Sequence, residues 1–356
     1  MSTKLIQEMK KAKTPMVLSI TGGGATVLKN FFSVSGVSQL VLEAIVPYHP
    51  KSLSKFLGST QTYACNSRTA RAMAMESFKR AKDMAGSSNV IGLGCTAALR
   101  TTRERRGKDR CHVCVQSRTT SRTLDMQLDQ SLTRAQQESQ CRQLIFVAIA
   151  NTLSLETDYE GLNFKETSVE APSLWKDLLE GNTNKTNDKK YDAVFPGSFA
   201  PFHEGHERII LLAERKLNVR PALEISVKNV DKPPLDFVSM EERNIPTQEI
   251  VFTNAATFEE KADLFPSTTF IVGIDTLARI DEAGYYNGKR NKSKILEKFK
   301  TQNIRFLVFG RLVNGQFLTL SSINISAALL DLCDEIPESD FRVDISSSEI
   351  RASEKD

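Results

Sequence analysis

The sequence predicts an α/β protein built from two domains. The chain has 356 residues, which is too long for one typical core and suits two domains of roughly 150 residues. Short apolar runs alternate with stretches of helical spacing in both halves, and residues 156–190 between them are polar. We therefore expect a first domain over residues 1–155, an exposed linker over 156–190 and a second domain over 191–356. For the first domain, a non-catalytic role is the expectation.

The first domain begins with a polar helix and continues as strands and helices. Apolar runs rich in β-branched residues predict the strands, and apolar residues three or four positions apart predict the helices. The predicted elements, in order, are a helix within 1–13, strands at 16–19 and 40–46, a helix at 67–84, strands at 89–93 and 111–115, and a long helix at 121–153.

The second domain repeats a strand followed by a helix. The predicted strands lie at 191–195, 222–227, 249–253, 269–272 and 305–309, and the first is followed by a helix at 205–217. Alternation of this kind predicts a parallel sheet with helices on both faces. Ligands of such sheets bind beyond the carboxyl ends of the strands.

Composition and charge exclude several classes of protein. Forty per cent hydrophobic and 25% charged residues are ordinary for a soluble domain, and no run approaches the ~18 apolar residues of a membrane span. The net charge of +4 is small for this length, so nucleic acid is not an expected partner. The densest basic run, residues 100–110, is interpreted as a solvated loop between strands.

Six cysteines spread over the chain, without a recognisable secretion signal, indicate reduced thiols and a cytoplasmic protein. Cys111 and Cys114 resemble half of a zinc site, but no second pair stands at a suitable distance. Residues 111–115 also alternate as a strand does. No protein metal site is therefore expected.

The chemistry is concentrated where the first strand of the second domain ends. Gly197 and Ser198 let the backbone approach a ligand closely, and His203 and His206 lie three residues apart at the start of a helix. The helix N-terminus adds unpaired N–H groups and a partial positive charge. Two of the four histidines of the chain fall in this segment. Such an arrangement predicts binding of a polyphosphate.

The segment from Gly197 to His206 resembles the HxGH signature of the nucleotidyltransferase superfamily, whose domain is a Rossmann-like parallel sheet. A second signature of that family resembles Ile345–Arg351, in which the Ser-rich run would hold terminal phosphates and Arg351 lies one turn later. The resemblance implies His203, His206 and Arg351 as catalytic residues. It further implies a nucleotide-binding set composed of Gly197, Ser198, Phe199, Lys228, Lys232, Gly273, Asp275, Arg311, Ser346, Ser347 and Ser348.

The implied reaction transfers AMP from ATP to a phosphate-bearing acceptor and releases pyrophosphate, with Mg²⁺ held through phosphate oxygens and water. A nicotinate or nicotinamide mononucleotide-like acceptor is favoured. A pantetheine-phosphate adenylyltransferase and a cytidylyltransferase remain alternatives, as does a nucleotide-binding sensor or scaffold with a degenerate site. Tyr285 and Tyr286 could stack on an acceptor ring, since the single tryptophan, Trp175, lies in the expected linker.

The first domain resembles the C-terminal domain of CinA, whose active members are nicotinamide-nucleotide amidases. The resemblance rests on residues 19–23, 34–38, 46–48, 69–74 and 90–94. It implies a site at Ser19, Thr21 and Tyr48, with a lysine five residues beyond the tyrosine as the base. That position is Leu53, and Lys51 is out of register, so we expect a domain without amidase activity that binds a nucleotide or forms a homo-oligomer. The amidase activity of the family is the alternative for this domain.

Overall fold

The computed structural model describes residues 2–102, 107–157, 159, 161–228, 233–282, 289–313 and 315–342. The chain divides into two compact units. Unit 1 comprises Met1–Glu180 together with Asn229–Glu241, and unit 2 comprises Gly181–Lys228 together with Glu242–Asp356. Each unit holds a six-stranded sheet, so the predicted α/β class is confirmed.

The elements of the first half are α1 (Ser2–Lys11), β1 (Met16–Thr21), α2 (Val27–Phe32), β2 (Val41–Ile45), α3 (Pro50–Phe56), α4 (Ser67–Ala85), β3 (Ile91–Ala98), β4 (Arg110–Gln116), β5 (Thr120–Gln127), α5 (Arg134–Thr152), β6 (Lys165–Glu170) and α6 (Ser173–Glu180). The elements of the second half are β7 (Ala193–Pro196), α7 (Glu204–Leu217), β8 (Ala222–Ser226), α8 (Phe237–Glu241), β9 (Ile250–Thr253), α9 (Phe258–Leu264), β10 (Thr269–Gly273), α10 (Ile274–Asp281), α11 (Lys289–Thr301), β11 (Arg305–Phe309), β12 (Arg311–Val313), β13 (Gln316–Leu318), α12 (Ala327–Leu330) and β14 (Cys333–Ile336).

The sheet of unit 1 has the order β2-β1-β3-β4-β5-β6, parallel across its first three strands and antiparallel from β3 onward. Apolar residues of α1, α2 and α5 pack on one face and form the main core. Helix α4 lies against β3, where a Cβ on Gly92 or Gly94 would meet helix backbone atoms at 2.0 and 2.2 Å. These glycines therefore allow the helix to approach the sheet.

The long helix predicted over 121–153 is wrong in its first third. Residues 120–127 form β5, which pairs with β4 on one side and β6 on the other. Leucines four residues apart (Leu124 and Leu128) mimic helical spacing, but strand pairing on both edges overrides that local pattern. The helix begins only after Thr133, whose hydroxyl and backbone form a capping box with Gln136.

The exposed linker predicted over 156–190 is also wrong in its central part. Residues 165–170 form β6, an edge strand whose side chains are largely exposed, which explains the polar sequence. Helix α6 follows and buries Trp175 and Leu178. Residues 165–180 therefore belong to the folded body of unit 1, and the division between the units falls after Glu180.

The sheet of unit 2 is parallel throughout, with the order β14-β11-β10-β7-β8-β9. The predicted strands of the second domain correspond to β7 through β11, whereas β14 and the β12–β13 hairpin were not predicted. The chain adds strands outward from β7 on one side and then from β10 on the other. The strand order therefore reverses between β7 and β10.

The structure confirms the strand predicted at the two cysteines of the CxxC-like segment. Cys111 and Cys114 of β4 belong to different buried clusters, and the six cysteines are free thiols. Among the residues that the structure describes, no helix is long and apolar enough to cross a membrane.

Candidate functional site

In unit 2, the reversal of strand order between β7 and β10 predicts a ligand crevice at the carboxyl edge of the sheet. At this reversal, the connections that follow the neighbouring strands run to opposite sides and leave a gap between them. Ligands of open α/β sheets bind in this gap, outside the carboxyl ends of the strands. The carboxyl ends of β7, β10 and β11 lie at this edge. The two motif histidines lie at the start of α7, after β7. Asp275 lies in the first turn of α10, directly after β10, and Arg311 is the first residue of β12, just after β11.

The two motif histidines stack at the start of α7. His203 is the N-cap residue, and its ring centroid lies 3.8 Å from that of His206 at an interplanar angle of 30°. The backbone N–H of His203 donates to Nδ1 of His206 at 3.2 Å. Because Nδ1 accepts this bond, the neutral His206 ring carries its proton on Nε2, which is a hydrogen-bond donor.

Three phenylalanines surround His206. The centroids of Phe199, Phe202 and Phe195 lie 5.0, 5.4 and 6.1 Å from that of the imidazole. Burial, followed by repulsion from His203 and Arg311, lowers the pKa of His206 to about 3. His206 is therefore uncharged at neutral pH and can act there as a hydrogen-bond donor.

The second imidazole is uncharged for related reasons. Burial, and then the positive charge of Arg311, lower the pKa of His203. Its Nδ1 is shielded from solvent and has no hydrogen-bond partner among the described residues. A buried polar atom without a partner is costly, and a ligand group is one way of satisfying it.

Asp275 and Arg311 form an ion pair at the same edge. Nη1 of Arg311 donates to Oδ2 of Asp275 at 2.8 Å, while Oδ1 of the same carboxylate is buried and has no partner among the described residues. A Cβ on Gly273 would lie 2.6 Å from that Oδ1. The glycine therefore leaves room for the carboxylate to turn back over the end of β10.

The loop between β7 and α7 is fastened through its backbone. The N–H of Gly197 donates to the carbonyl of Glu224 at 3.0 Å, and Nε of Arg243 donates to the carbonyl of Ser198 at 2.9 Å. Phe199, expected among the nucleotide-binding residues, is only 2% exposed. Its side chain packs edge-on against His206.

Lys228 is exposed and follows β8 at the same edge as the histidines. Lys232, Ser346, Ser347, Ser348 and Arg351 lie outside the residues that the structure describes, as do Tyr285 and Tyr286.

The chain that leads toward the Ser-rich run is anchored on α7. Nη2 of Arg208 donates to the carbonyl of Asp340 at 3.3 Å, and its guanidinium lies 5.8 Å from the ring centroid of Phe341. Phe341 also packs edge-on against Phe309 at the end of β11. Residues 340–342 therefore lie beside the helix that begins at His203.

In unit 1, Ser19 is separated from the other two expected site residues. Its hydroxyl is fully buried, donates to the carbonyl of Leu93 at 2.9 Å and accepts from the hydroxyl of Ser77 on α4. Ser19 therefore lies between the sheet and the helix as a core residue. Leu53, at the position where a base is required, is buried with Leu57 and Met73.

Thr21 and Tyr48 line a cavity of ≈ 470 Å³ that Ser19 does not reach. The hydroxyl of Thr21 is engaged, since it donates to the carbonyl of Pro47 at 3.0 Å. The other lining residues are Ile20, Gly22, Gly23, Ala25, Thr26, Val46, Leu99, Arg134, Ala135 and Glu138. The arrangement offers a binding cavity without an activated nucleophile.

No protein-family model matches the chain, and no curated protein is significantly similar to it. Solved structures that resemble it include a competence-damaged protein (CinA) superfamily protein from Klebsiella pneumoniae, with 12% identity, a TM-score of 0.36, and coverage of 43% of this chain and 98% of its own. A competence or damage-inducible protein from Enterobacter asburiae has 12% identity, a TM-score of 0.34 and coverages of 43% and 94%. The competence/damage inducible protein from Agrobacterium tumefaciens has 13% identity, a TM-score of 0.33 and coverages of 43% and 92%. Likeness at this level says nothing about activity.

Proposed function

We propose that unit 2 is a nucleotidyltransferase that transfers AMP from ATP to a nicotinate or nicotinamide mononucleotide-like phosphate and releases pyrophosphate. One observation carries the proposal. His203 and His206 stand stacked at a helix start, beside the Asp275–Arg311 pair, at the reversal point of a parallel sheet. Crevices of this kind bind nucleotides, and the HxGH-like sequence falls at its mouth.

In the proposed reaction, an oxygen of the acceptor phosphate attacks the α-phosphorus of ATP, and the bond to the pyrophosphate leaving group breaks. Negative charge grows on the α-phosphoryl oxygens and on the leaving group. The Nε2–H of His206 would donate to these oxygens as a neutral donor, because the ring is uncharged at neutral pH. Arg311 would supply positive charge at the same edge.

Asp275 suits the recognition of hydroxyl groups better than that of phosphates. Its Oδ1, which has no partner among the described residues, can accept a hydrogen bond from a ribose hydroxyl, and a phosphate would be repelled by it. The proposal therefore places the ribose near β10 and the phosphates near α7. The acceptor preference rests on the sequence resemblance alone.

Mg²⁺ would accompany the triphosphate. Among the described residues, no group of three or more histidine, cysteine or acidic side chains is arranged to hold a metal ion. The ion would therefore be bound mainly through phosphate oxygens and water, as Mg²⁺ commonly is, and would neutralise phosphate charge.

The test is a product assay on the full chain. ATP or CTP is offered with Mg²⁺ and one of three acceptors: nicotinate mononucleotide, nicotinamide mononucleotide or phosphopantetheine. Pyrophosphate and the coupled product are both measured. The proposal expects pyrophosphate with ATP and a mononucleotide. Nucleotide binding without pyrophosphate from any pair would overturn it in favour of a sensor or scaffold.

A second assay addresses unit 1. Ammonia release from nicotinamide mononucleotide is measured for the full chain and for Ser19→Ala. Because Ser19 is buried and Leu53 replaces a base, we expect no release from either protein.

A further inference from the structure

The cavity of unit 1 contains two charged side chains, and both come from the same helix. Arg134 and Glu138 lie one turn apart on α5 and line the cavity together with the glycine-rich loop after β1. The rest of the wall is mainly apolar, and Tyr48 stands 64% exposed at it. The electrostatic potential of the cavity therefore depends on which groups Arg134 and Glu138 contact.

Both carboxylate oxygens of Glu138 accept hydrogen bonds from the glycine-rich loop. Oε2 accepts the N–H of Gly24 at 2.7 Å, and Oε1 accepts the N–H of Thr26 at 2.9 Å. These short distances are those of charge-assisted hydrogen bonds. Residue 138 is 112 and 114 positions away from the two donors in sequence, so the contact is made by the fold and not by the local turn.

Pairs of loop N–H groups that converge on one anion are the means by which glycine-rich loops hold phosphate. In this cavity the place of that anion is taken by a carboxylate of the chain itself. Arg134 extends from the same helix one turn earlier and would attract an anion to the same wall. The negative charge of Glu138 would repel a second anion that approached the loop.

We propose that Glu138 is a built-in anionic occupant of the unit 1 cavity, which excludes phosphate-bearing ligands from the glycine-rich loop and leaves the cavity to uncharged ones. The proposal is independent of the chemistry in unit 2. It predicts that removal of one carboxylate converts the loop into an anion site, with Arg134 as its cation.

The test uses the full chain labelled with ¹⁵N at glycine and threonine and titrated with inorganic phosphate. The amide resonances of Gly24 and Thr26 report on the loop, so phosphate bound in unit 2 is not mistaken for binding here. In the wild type these two resonances should not move. In Glu138→Ala they should titrate, with phosphate bound at least tenfold more tightly than in the wild type.

Two further variants distinguish a Glu138 carboxylate that blocks the anion site from one that only supports the fold. Glu138→Gln keeps the shape of the side chain without its charge, should also admit phosphate, and serves in place of the alanine variant if that variant does not fold. Glu8→Ala removes the same charge from a half-exposed position of α1 and should leave the loop resonances unmoved. Titration of the wild-type loop would overturn the proposal, as would folded Glu138 variants whose loop ignores phosphate.

Discussion

The residues around His206 keep its imidazole uncharged at neutral pH and leave its Nε2–H as a hydrogen-bond donor. Phenylalanine rings exclude water from it, and the N–H of His203 occupies its Nδ1. Transition-state stabilisation by this residue is therefore a matter of a positioned N–H and not of a positive charge. Positive charge at this edge is contributed by Arg311 and by the exposed Lys228.

Loss of the His206 imidazole should slow turnover. His206→Ala removes the Nε2–H donor, so kcat should fall by roughly 10² to 10³, the scale of losing one oxyanion-hole donor. Steady-state pyrophosphate release measures it. Arg215→Gln, exposed near the far end of α7, is the matched control and should leave kcat unchanged. Full turnover in a folded His206→Ala protein would refute the assignment.

The second residue-scale prediction concerns pH and stability. The pKa of His206 is lowered to about 3 in the folded protein, from an ordinary value of about 6.5. Between these values the unfolded chain binds a proton that the folded protein does not, so the free energy of unfolding falls as the pH drops below about 6.5.

His206→Phe keeps an aromatic ring in place and removes this titration. From pH 7.5 to pH 5.0, the wild type should lose about 1 to 2 kcal/mol more unfolding free energy than His206→Phe. Urea titrations followed by circular dichroism measure the difference. Equal losses in the two proteins would show that the imidazole is not held neutral by the fold.

At the scale of elements, the contact between α4 and β3 depends on the absence of side chains. A Cβ on Gly94 would lie 2.2 Å from the carbonyl oxygen of Ala70 and 2.5 Å from the nitrogen of Ala74. Both are helix backbone atoms, which cannot move aside singly. The helix can approach the sheet this closely only because β3 carries glycine at this point.

Gly94→Ala should therefore lower the free energy of unfolding of unit 1 by about 3 kcal/mol or more, through overpacking. Gly86→Ala is the control. That glycine ends α4 with φ +58° and open space around its Cβ position, so the substitution should cost only about 1 kcal/mol. Urea unfolding followed by Trp175 fluorescence distinguishes them, and equal costs would contradict the packing argument.

At the scale of the whole molecule, the order of the chain and the order of the folded units differ. Residues 233–241 come after β8 of unit 2, yet they are part of unit 1. Asp236 pairs with Arg71 at 3.3 Å, and both side chains are 6% exposed. Phe237 stacks on Trp175, and its N–H donates to the hydroxyl of Ser121 at 2.9 Å.

Phe237→Ala should accordingly destabilise unit 1 by about 3 to 5 kcal/mol, although the residue lies in the second half of the sequence. Trp175 is the single tryptophan and reports on unit 1 through its fluorescence. Phe270→Ala, fully buried in unit 2, should shift the Trp175 transition less. A larger shift of the Trp175 transition in Phe270→Ala than in Phe237→Ala would show that residues 233–241 are not part of unit 1.

Patterns within a few residues were sufficient for much of unit 2. Apolar runs separated by helical stretches predicted the parallel strands β7 through β11 because each pattern is set by its own element. The location of His203 and His206 at a strand-to-helix loop was predicted for the same reason. The Asp275–Arg311 pair was not, because the two residues are 36 positions apart and meet only through sheet order.

What the tertiary structure alone decided depends on partners distant in sequence. Leu124 and Leu128 have helical spacing, but residues 120–127 form a strand because β4 and β6 pair with its two edges. The polar run at 165–170 is folded because it pairs with β5 at the edge of the sheet, where most of its side chains remain exposed. Ser19 has the local setting of a nucleophile, yet α4 covers it with Ser77. Local sequence therefore determined strands β7 through β11 and the candidate motif. The structure of residues 120–127 and 165–180, the burial and charge state of the site, and the division into units were decided by contacts that no local pattern encodes.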